Sequence, residues 1–255
     1  MTSPLGAALW ASSIAGPTAL GAALTGVALP LPLVASALAA HTALVGLAVA
    51  SPSLGAFGRA VTQSARGVAL TFDDGPDPEF TPRVLDALAA HGATATFFLV
   101  GERLVAHPDV ARRGVAEGHA VGAHGWTHDP WYALSSRARL SASMDREDDA
   151  HRAILGRAPR LFRPPIGVAS PPVVEVARAR GRELVAWTKR TRDGLPRAAP
   201  DDVARRALWR VREGDIVLLH DAAMGARVRP AGVEALHTIL TQLRRLGLEA
   251  RALEG

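Results

Sequence analysis

The sequence VALTFDDGPD occupies positions 68–77 and joins a short apolar run to two adjacent carboxylates and a Gly-Pro turn. A short apolar run bounded by turn residues predicts a buried strand. Asp73 and Asp74 at its end would point to opposite sides if the strand continued, whereas the turn can direct both toward one pocket. At this point the alternative interpretation is a turn with two solvated acids.

Apolar runs of this kind recur along the chain and alternate with helical patterns. Candidate strands lie at 68–72, 94–100, 119–123, 184–187 and 216–219, with a last one near Leu248, and helical periodicity lies at 81–91, 137–155 and 233–246. This alternation predicts an α/β fold with a parallel sheet or barrel. Thr81 is a candidate helix cap, with Pro82 in the first turn. In (β/α) barrels the functional groups lie at the C-terminal ends of the strands, so polar residues there are expected to converge.

Two histidines follow the candidate strand 119–123. His124 and His128 are four residues apart, and histidines at this spacing can present both imidazoles to one metal ion. The chain has no cysteine, so His, Asp or Glu must hold any metal. Two imidazoles and a carboxylate leave open positions for water and substrate, which favours catalytic zinc and hydrolytic chemistry. The alternative is a pair of surface histidines.

Two further strand ends carry candidate residues. In the segment RPPIG at 163–167, the prolines fix the backbone, so the N–H of Ile166 is held in a rigid loop where it could stabilise an oxyanion. A rigid loop with a solvated Arg163 is the alternative. His220 could donate a proton to a leaving amine, with Asp193 holding its ring and raising its pKa. A structural histidine is the alternative there.

The N-terminal region differs from the rest in composition. Residues 1–58 contain no Asp, Glu, Lys or Arg, which predicts a boundary with a second domain at 59–255. The apolar runs 5–29 and 33–50 are long enough to cross a bilayer, which takes about 17–25 residues. No basic residue precedes the first run, which argues against a cleaved secretory signal. We therefore expect one or two transmembrane helices that anchor the protein to the cytoplasmic membrane, with the side of the second domain left open.

The basic excess does not indicate a nucleic-acid partner. The net charge is +5 and is carried almost wholly by arginine, since Lys189 is the only lysine. The arginines are scattered in pairs among acidic residues, and no aromatic residues are interleaved with them to stack on bases. Solvated helix faces are the favoured interpretation, and nothing in the sequence indicates the oligomeric state.

The ordered set T-F-D-D-G-P, H-x-x-x-H, R-P-P-x-G and L-L-H resembles the polysaccharide deacetylase family, carbohydrate esterase family 4, with its nodulation-type chitooligosaccharide deacetylase homology domain. The resemblance extends from about residue 66 to the C-terminus. It implies a distorted (β/α) barrel and a divalent metal ion, usually Zn²⁺. The implied reaction is hydrolysis of an N-acyl group, typically acetyl, from an amino sugar in a polysaccharide, peptidoglycan or lipid-linked glycan.

The resemblance also implies a role for each matching residue. Asp73 would be the general base, oriented by Arg163. The implied metal ligands are Asp74, His124 and His128. His220 would be the general acid with Asp193 behind it, and the Ile166 amide would line the oxyanion hole.

Four positions depart from the family pattern. Gly125 replaces a Ser or Thr, Ile166 replaces an aromatic residue, Gly194 stands where a tryptophan is expected, and Arg190 stands where the family often has Asp. All four concern loop support and the substrate groove, so they affect the expected sugar specificity more than the chemistry.

The leading hypothesis is therefore a membrane-anchored, metal-dependent deacetylase acting on an N-acetylated glycan. A catalytically inactive, membrane-tethered glycan-binding protein is the main alternative, because the groove positions are altered. A basic domain that docks on nucleic acid or anionic lipid is a third, which would require strongly salt-dependent binding.

Overall fold

The computed structural model describes residues 8, 12, 31–50, 60–222 and 229–254. From residue 60 onward, the described part of the chain contains eight strands and seven α-helices, and one more helix lies at 31–50. The strands are β1 (Ala60–Val61), β2 (Ala69–Asp73), β3 (Thr96–Leu99), β4 (Ala120–Ala123), β5 (Leu161–Phe162), β6 (Glu183–Val185), β7 (Lys189–Arg190) and β8 (Ile216–His220). The helices are α1 (Leu31–Ala50), α2 (Phe80–Ala90), α3 (Gly101–Ala106), α4 (Pro108–Ala116), α5 (Arg137–Leu155), α6 (Pro171–Ala179), α7 (Pro200–Leu208) and α8 (Ala231–Arg245).

The eight strands form one parallel sheet in the order β1-β6-β5-β4-β3-β2-β8-β7. Strand β2 lies inside this sheet between β3 and β8, and all five of its residues are buried. Burial on both faces explains why its sequence is a continuous apolar run rather than an alternating one. The predicted barrel is confirmed as a curled half-barrel of parallel strands. Within the described residues, the end strands β1 and β7 do not pair with each other.

The long helices expected from the sequence are present in the structure, whereas three two-residue strands were not predicted. Helices α2, α5 and α8 coincide with the predicted helical stretches to within a few residues. Strands β1, β5 and β7 have two residues each, which is too short to show a period in the sequence. The strand expected near Leu248 is reduced to a single bridge between Val68 and Ala250.

The Thr81 cap predicted for α2 is wrong. The helix begins at Phe80, and the Asp77 carboxylate accepts hydrogen bonds from the backbone N–H groups of Glu79 and Phe80 at 2.8 and 3.0 Å. The Thr81 hydroxyl instead donates to Asp221 at 2.6 Å and accepts from the Asp77 N–H at 2.8 Å. Thr81 therefore ties the start of α2 to the end of β8.

The expected transmembrane helices are not supported. Of the two apolar runs, 5–29 lies outside the described residues apart from two isolated positions, and 33–50 lies within α1. Among the residues that the structure describes, no helix combines the length and apolar character needed to cross a bilayer.

Candidate active site

A cavity of about 380 Å³ opens at the carboxyl edge of the sheet. Its lining includes Asp73 from the end of β2, His124 and His128 from the loop after β4, and His220 from the end of β8. In a parallel sheet, the carboxyl ends of all strands meet at one edge, so residues almost 150 positions apart in the chain converge here. The predicted convergence of these side chains is confirmed.

The turn after β2 brings the two adjacent acids to the same region. Asp73 is still extended and pairs with His220 in the β2–β8 register. Asp74 has φ of 78°, in the left-handed region that Asp tolerates better than most side chains. The extended alternation ends at Asp74, so both carboxylates lie near the His124 imidazole, at 3.8 and 3.5 Å from its Nε2.

Asp73 is held by a buried arginine. The Arg163 Nη1 donates to Asp73 Oδ1 at 2.7 Å and to the Thr71 hydroxyl at 2.9 Å. Its Nε and Nη2 donate to the carbonyls of Val185 and Ala186 at 3.3 and 3.2 Å, and its side chain is fully buried. The solvated Arg163 considered from the sequence is therefore excluded, because the guanidinium fixes Asp73 from inside the sheet and leaves Asp73 Oδ2 free.

Asp74, His124 and His128 form a cluster suited to a metal ion. Their candidate ligand atoms all lie within 4.8 Å of one another, and His128 Nε2 is 3.2 Å from Asp74 Oδ1. His124 Nδ1 lies 2.7 Å from the carbonyl of Arg163. A carbonyl only accepts, so Nδ1 carries the proton and Nε2 presents a lone pair toward Asp74. Burial lowers the pKa of His124 to about 3, although the charge of Asp74 opposes this shift. The low pKa keeps the imidazole in its neutral form, which can bind a metal ion.

The Asp74 carboxylate shows that the cluster fits a cation. Both of its oxygens are buried, and neither has a hydrogen-bond partner. A buried ionised carboxylate without a partner is costly, and a divalent ion shared with the two imidazoles would satisfy it. Among the described residues this is the group of histidines and acids that has the spacing of a metal site.

Across the cavity, His220 is paired with Asp193. His220 Nδ1 donates to Asp193 Oδ1 at 2.8 Å, and its backbone N–H donates to Asp193 Oδ2 at 2.8 Å. Burial lowers the pKa of His220, but the hydrogen bond and the charge of Asp193, with smaller contributions from Asp74 and Asp73, outweigh it and raise the pKa to about 9. His220 is therefore an imidazolium at neutral pH, with Nε2 left for the cavity.

The loop after β5 packs tightly beside the cavity. Ile166 has φ of 52°, which is unusual for a β-branched residue, and the residue is 51% exposed where it lines the cavity. A Cβ at Gly167 would lie 2.1 Å from the Trp187 ring. At Gly125, with φ of 79°, a Cβ would lie 2.8 Å from the Pro165 side chain. The glycine at 125, in the loop after β4, is thus required by its close contact with the loop after β5.

Asp221 was not predicted as part of the site. Its Oδ1 accepts from the Gly75 N–H at 3.1 Å, and its Oδ2 accepts from Thr81 at 2.6 Å. Burial, reinforced by the charges of Asp74 and Asp73, raises its pKa to about 7, although the Thr81 bond opposes this. Asp221 therefore supports the turn that presents Asp73 and Asp74. Its position directly after His220 was the available signal in the sequence.

This arrangement defines a protein of the α/β class that carries a candidate metal centre, a carboxylate held by a buried arginine and a histidine–aspartate pair at the carboxyl edge of a parallel half-barrel. A family model for polysaccharide deacetylase matches residues 60–185. The chain is 34% identical over 198 residues to a peptidoglycan-N-acetylglucosamine deacetylase of Bacillus cereus, covering 73% of this chain and 86% of that protein. It is 37% identical over 210 residues to a chitooligosaccharide deacetylase of Sinorhizobium fredii, covering 76% and 95%.

A solved structure shows the same fold. It is a mutant, with restored enzymatic activity, of a family 4 carbohydrate esterase pseudoenzyme from Bacillus anthracis. The TM-score is 0.68 at 28% identity, with 76% of this chain and 69% of that chain covered.

The chain belongs to the polysaccharide deacetylase family. It is a hydrolase of the deacetylase type that acts on amide bonds. Members of this family generally use a divalent metal ion, and the Asp74, His124 and His128 cluster is where such an ion would be held.

Proposed function

We propose that this protein is a metal-dependent deacetylase that removes the N-acetyl group from an amino sugar in a polysaccharide, peptidoglycan or lipid-linked glycan. The observation that carries the proposal is the placement of the Asp74, His124 and His128 cluster and the His220–Asp193 pair around one cavity. The named relatives that act on peptidoglycan and chitooligosaccharides support an N-acetylated sugar as the substrate.

Zinc is the proposed ion. Two imidazoles and one carboxylate are a common catalytic zinc set that leaves positions open for substrate. When bound, the ion would act as a Lewis acid toward the amide carbonyl and activate water as the nucleophile.

The residues of the chain would divide the proton transfers between the two sides of the cavity. Asp73 is proposed as the general base, because Arg163 holds Oδ1 and leaves Oδ2 to accept a proton from the attacking water. His220 is proposed as the general acid, since its imidazolium can donate the Nε2 proton to the departing amine. Because Ile166 lines the cavity, its N–H is proposed as an oxyanion donor. Such a donor contributes about 3–4 kcal/mol in other hydrolases.

The test is acetate release from the N-acetylglucosamine tetramer and from peptidoglycan, using protein stripped of metal and then resupplied with zinc. Release is expected only after zinc is added, and Asp73→Asn is expected to lower it by about 10²–10⁴-fold while zinc affinity stays within a few-fold. Glycan binding without acetate release, with zinc bound, would instead support the inactive glycan-binding alternative.

We also propose that residues 1–58 hold the enzyme at the cytoplasmic membrane. The support is the absence of Asp, Glu, Lys and Arg from this region. Such an anchor would place the site near lipid-linked or cell-wall glycans. Activity confined to soluble oligomers would argue against a lipid-linked substrate.

A further inference from the structure

Two arginines, Arg190 and Arg192, line the cavity in addition to two of the candidate metal ligands. Arg190 ends β7, and Arg192 follows it with φ of 63°. Both line the same cavity as Asp73, His124 and His220. The cavity volume of about 380 Å³ is in the range of pockets that bind small molecules.

The backbone directs Arg190 toward the cavity. Successive side chains of a strand point to opposite faces. The neighbouring Lys189 points away from the cavity, where its Nζ donates to the carbonyls of Trp209 and Arg210 at 2.7 and 3.2 Å. Arg190 pairs in register with Leu218, which also lines the cavity.

Neither cavity arginine has a carboxylate partner within the described part of the chain. The acidic residue in the cavity lining is Asp73, and its Oδ1 is already bound by Arg163 at 2.7 Å. Elsewhere in the fold, the buried Arg182 has two carboxylate partners, Glu147 and Asp148, each at 2.7 Å. The segment 223–228, which follows β8 in the sequence, contains no acidic residue.

Arg190 and Arg192 are both exposed, so their guanidinium groups are accessible to a ligand that enters the cavity. Trp187, Ile166 and Leu195 line the cavity together with the two guanidinium-bearing side chains. The planar donors of a guanidinium match carboxylate and phosphate geometry, and the charge attracts an anion. A neutral acetamido sugar offers hydroxyl and carbonyl acceptors but no negative charge to pair with the two guanidinium groups.

We propose that Arg190 and Arg192 select a glycan that carries an anionic substituent, a carboxylate or a phosphate, next to the sugar to be deacetylated. This inference rests on the proposed deacetylase function and names its substrate class. Arg190 and Arg192 are assigned as residues that bind this substituent.

The experiment compares kcat/KM for acetate release from three probes of matched length. They are the neutral N-acetylglucosamine tetramer, a tetrasaccharide in which the neighbouring sugars carry carboxylates, and an N-acetylglucosamine tetramer with a terminal phosphate. The full-length protein is expected to prefer at least one anionic probe by about tenfold or more, with the preference declining as salt is raised. Which anionic probe is preferred distinguishes the carboxylate from the phosphate.

Variants then assign the preference to the two arginines. Arg190→Gln and Arg192→Gln are each expected to lower the ratio of kcat/KM between the anionic and neutral probes by about tenfold, mainly through KM. Arg146→Gln is the matched control, because Arg146 is exposed on α5 and is not in the cavity lining. Its ratio should equal that of the unmodified protein.

Equal kcat/KM for the neutral and anionic probes would overturn the inference while leaving the deacetylase function intact. The inference would also be overturned if the arginine variants lowered kcat/KM for all probes by the same factor. If no probe releases acetate with zinc bound, the proposed function fails, and equilibrium binding of the same probes decides the inference separately. Tighter binding of an anionic probe that is lost in both arginine variants would then support it, and equal binding would overturn it.

Discussion

At the scale of single residues, Asp74 and Asp73 are neighbours with different environments. Both Asp74 oxygens are buried without a hydrogen-bond partner, whereas Asp73 Oδ1 is bound by Arg163. An oxygen pair without partners is suited to a cation, and a carboxylate with one free oxygen is suited to proton transfer. The two residues should therefore separate metal binding from proton transfer.

Changing a residue that hydrogen-bonds to a metal ligand typically weakens metal binding by roughly 10- to 100-fold. Asp74→Asn changes a proposed ligand itself, so it is expected to weaken zinc binding by at least this factor. Asp73→Asn is expected to keep zinc affinity within a few-fold and to lower acetate release by about 10²–10⁴-fold. Zinc titration and acetate assays on both proteins measure the two effects. Normal zinc affinity in Asp74→Asn would contradict the assignment of the ligands.

His220 depends on Asp193 for its protonation. A general acid acts in its protonated form, so kcat/KM should fall as pH rises through the His220 pKa of about 9. Asp193→Asn removes the charge that raises this pKa, so the falling limb should move to lower pH, by about 1–3 units. A pH profile of acetate release with zinc present measures the shift.

Asp145→Asn is the control for this profile, because Asp145 is exposed and pairs with Arg180 on the outside of the fold. Its falling limb should coincide with that of the unmodified protein. An unchanged limb in Asp193→Asn would mean that His220 is not the acid.

At the scale of secondary structure, the close packing of β4 against its neighbouring strands requires a glycine within β4. A Cβ at Gly122 would lie 2.7 Å from the Leu161 carbonyl oxygen and 2.8 Å from the Phe98 ring. The strand can therefore approach β5 and pack on β3 only with glycine at this position. This approach sets the position of His124, which follows two residues later.

Gly122→Ala is expected to lower the free energy of unfolding by about 1–3 kcal/mol through overpacking. Gly114→Ala in α4 is the matched control, since the nearest atom to its Cβ would be 3.8 Å away. The control should be neutral or stabilised by up to about 1 kcal/mol, because alanine favours helix over glycine. Urea unfolding of both variants tests this, and equal stability of Gly122→Ala and the unmodified protein would refute the packing argument.

At the scale of the whole molecule, both ends of the 59–255 region are tied to the sheet. Ala60 in β1 pairs with Leu184 in β6. Near the C-terminus, the Leu253 N–H donates to the Thr96 hydroxyl at 2.8 Å. These contacts support the predicted boundary, which stays a prediction.

The 59–255 fragment is expected to fold alone and to match the full-length protein in kcat/KM on soluble oligomers, while only the full-length protein partitions with membranes. A 67–255 fragment is the control, since it lacks β1 and should unfold at a lower temperature. Thermal unfolding, acetate assays and membrane fractionation measure these differences. An unfolded 59–255 fragment would show that residues 1–58 are part of the catalytic fold.

The sequence by itself determined the local features of this protein. Buried strands such as β2 and long amphipathic helices such as α8 can be recognised in the sequence. Their apolar residues form a continuous run or recur with the helical period over several residues. The acids and histidines at strand ends were identified from the same local patterns, since strand ends of a parallel sheet share one edge. The two-residue strands were not, because two residues cannot show a period.

The tertiary structure alone decided the contacts between distant segments. The support of the Gly75 turn by Asp221, 146 residues away, was not predicted, and the contact of Arg163 with Asp73, 90 residues away, was implied by the family resemblance and not by any local pattern. The direction of Arg190 into the cavity has no local pattern either. These contacts depend on which strands become neighbours in the sheet, and that order is set by packing of the whole chain rather than by any one segment.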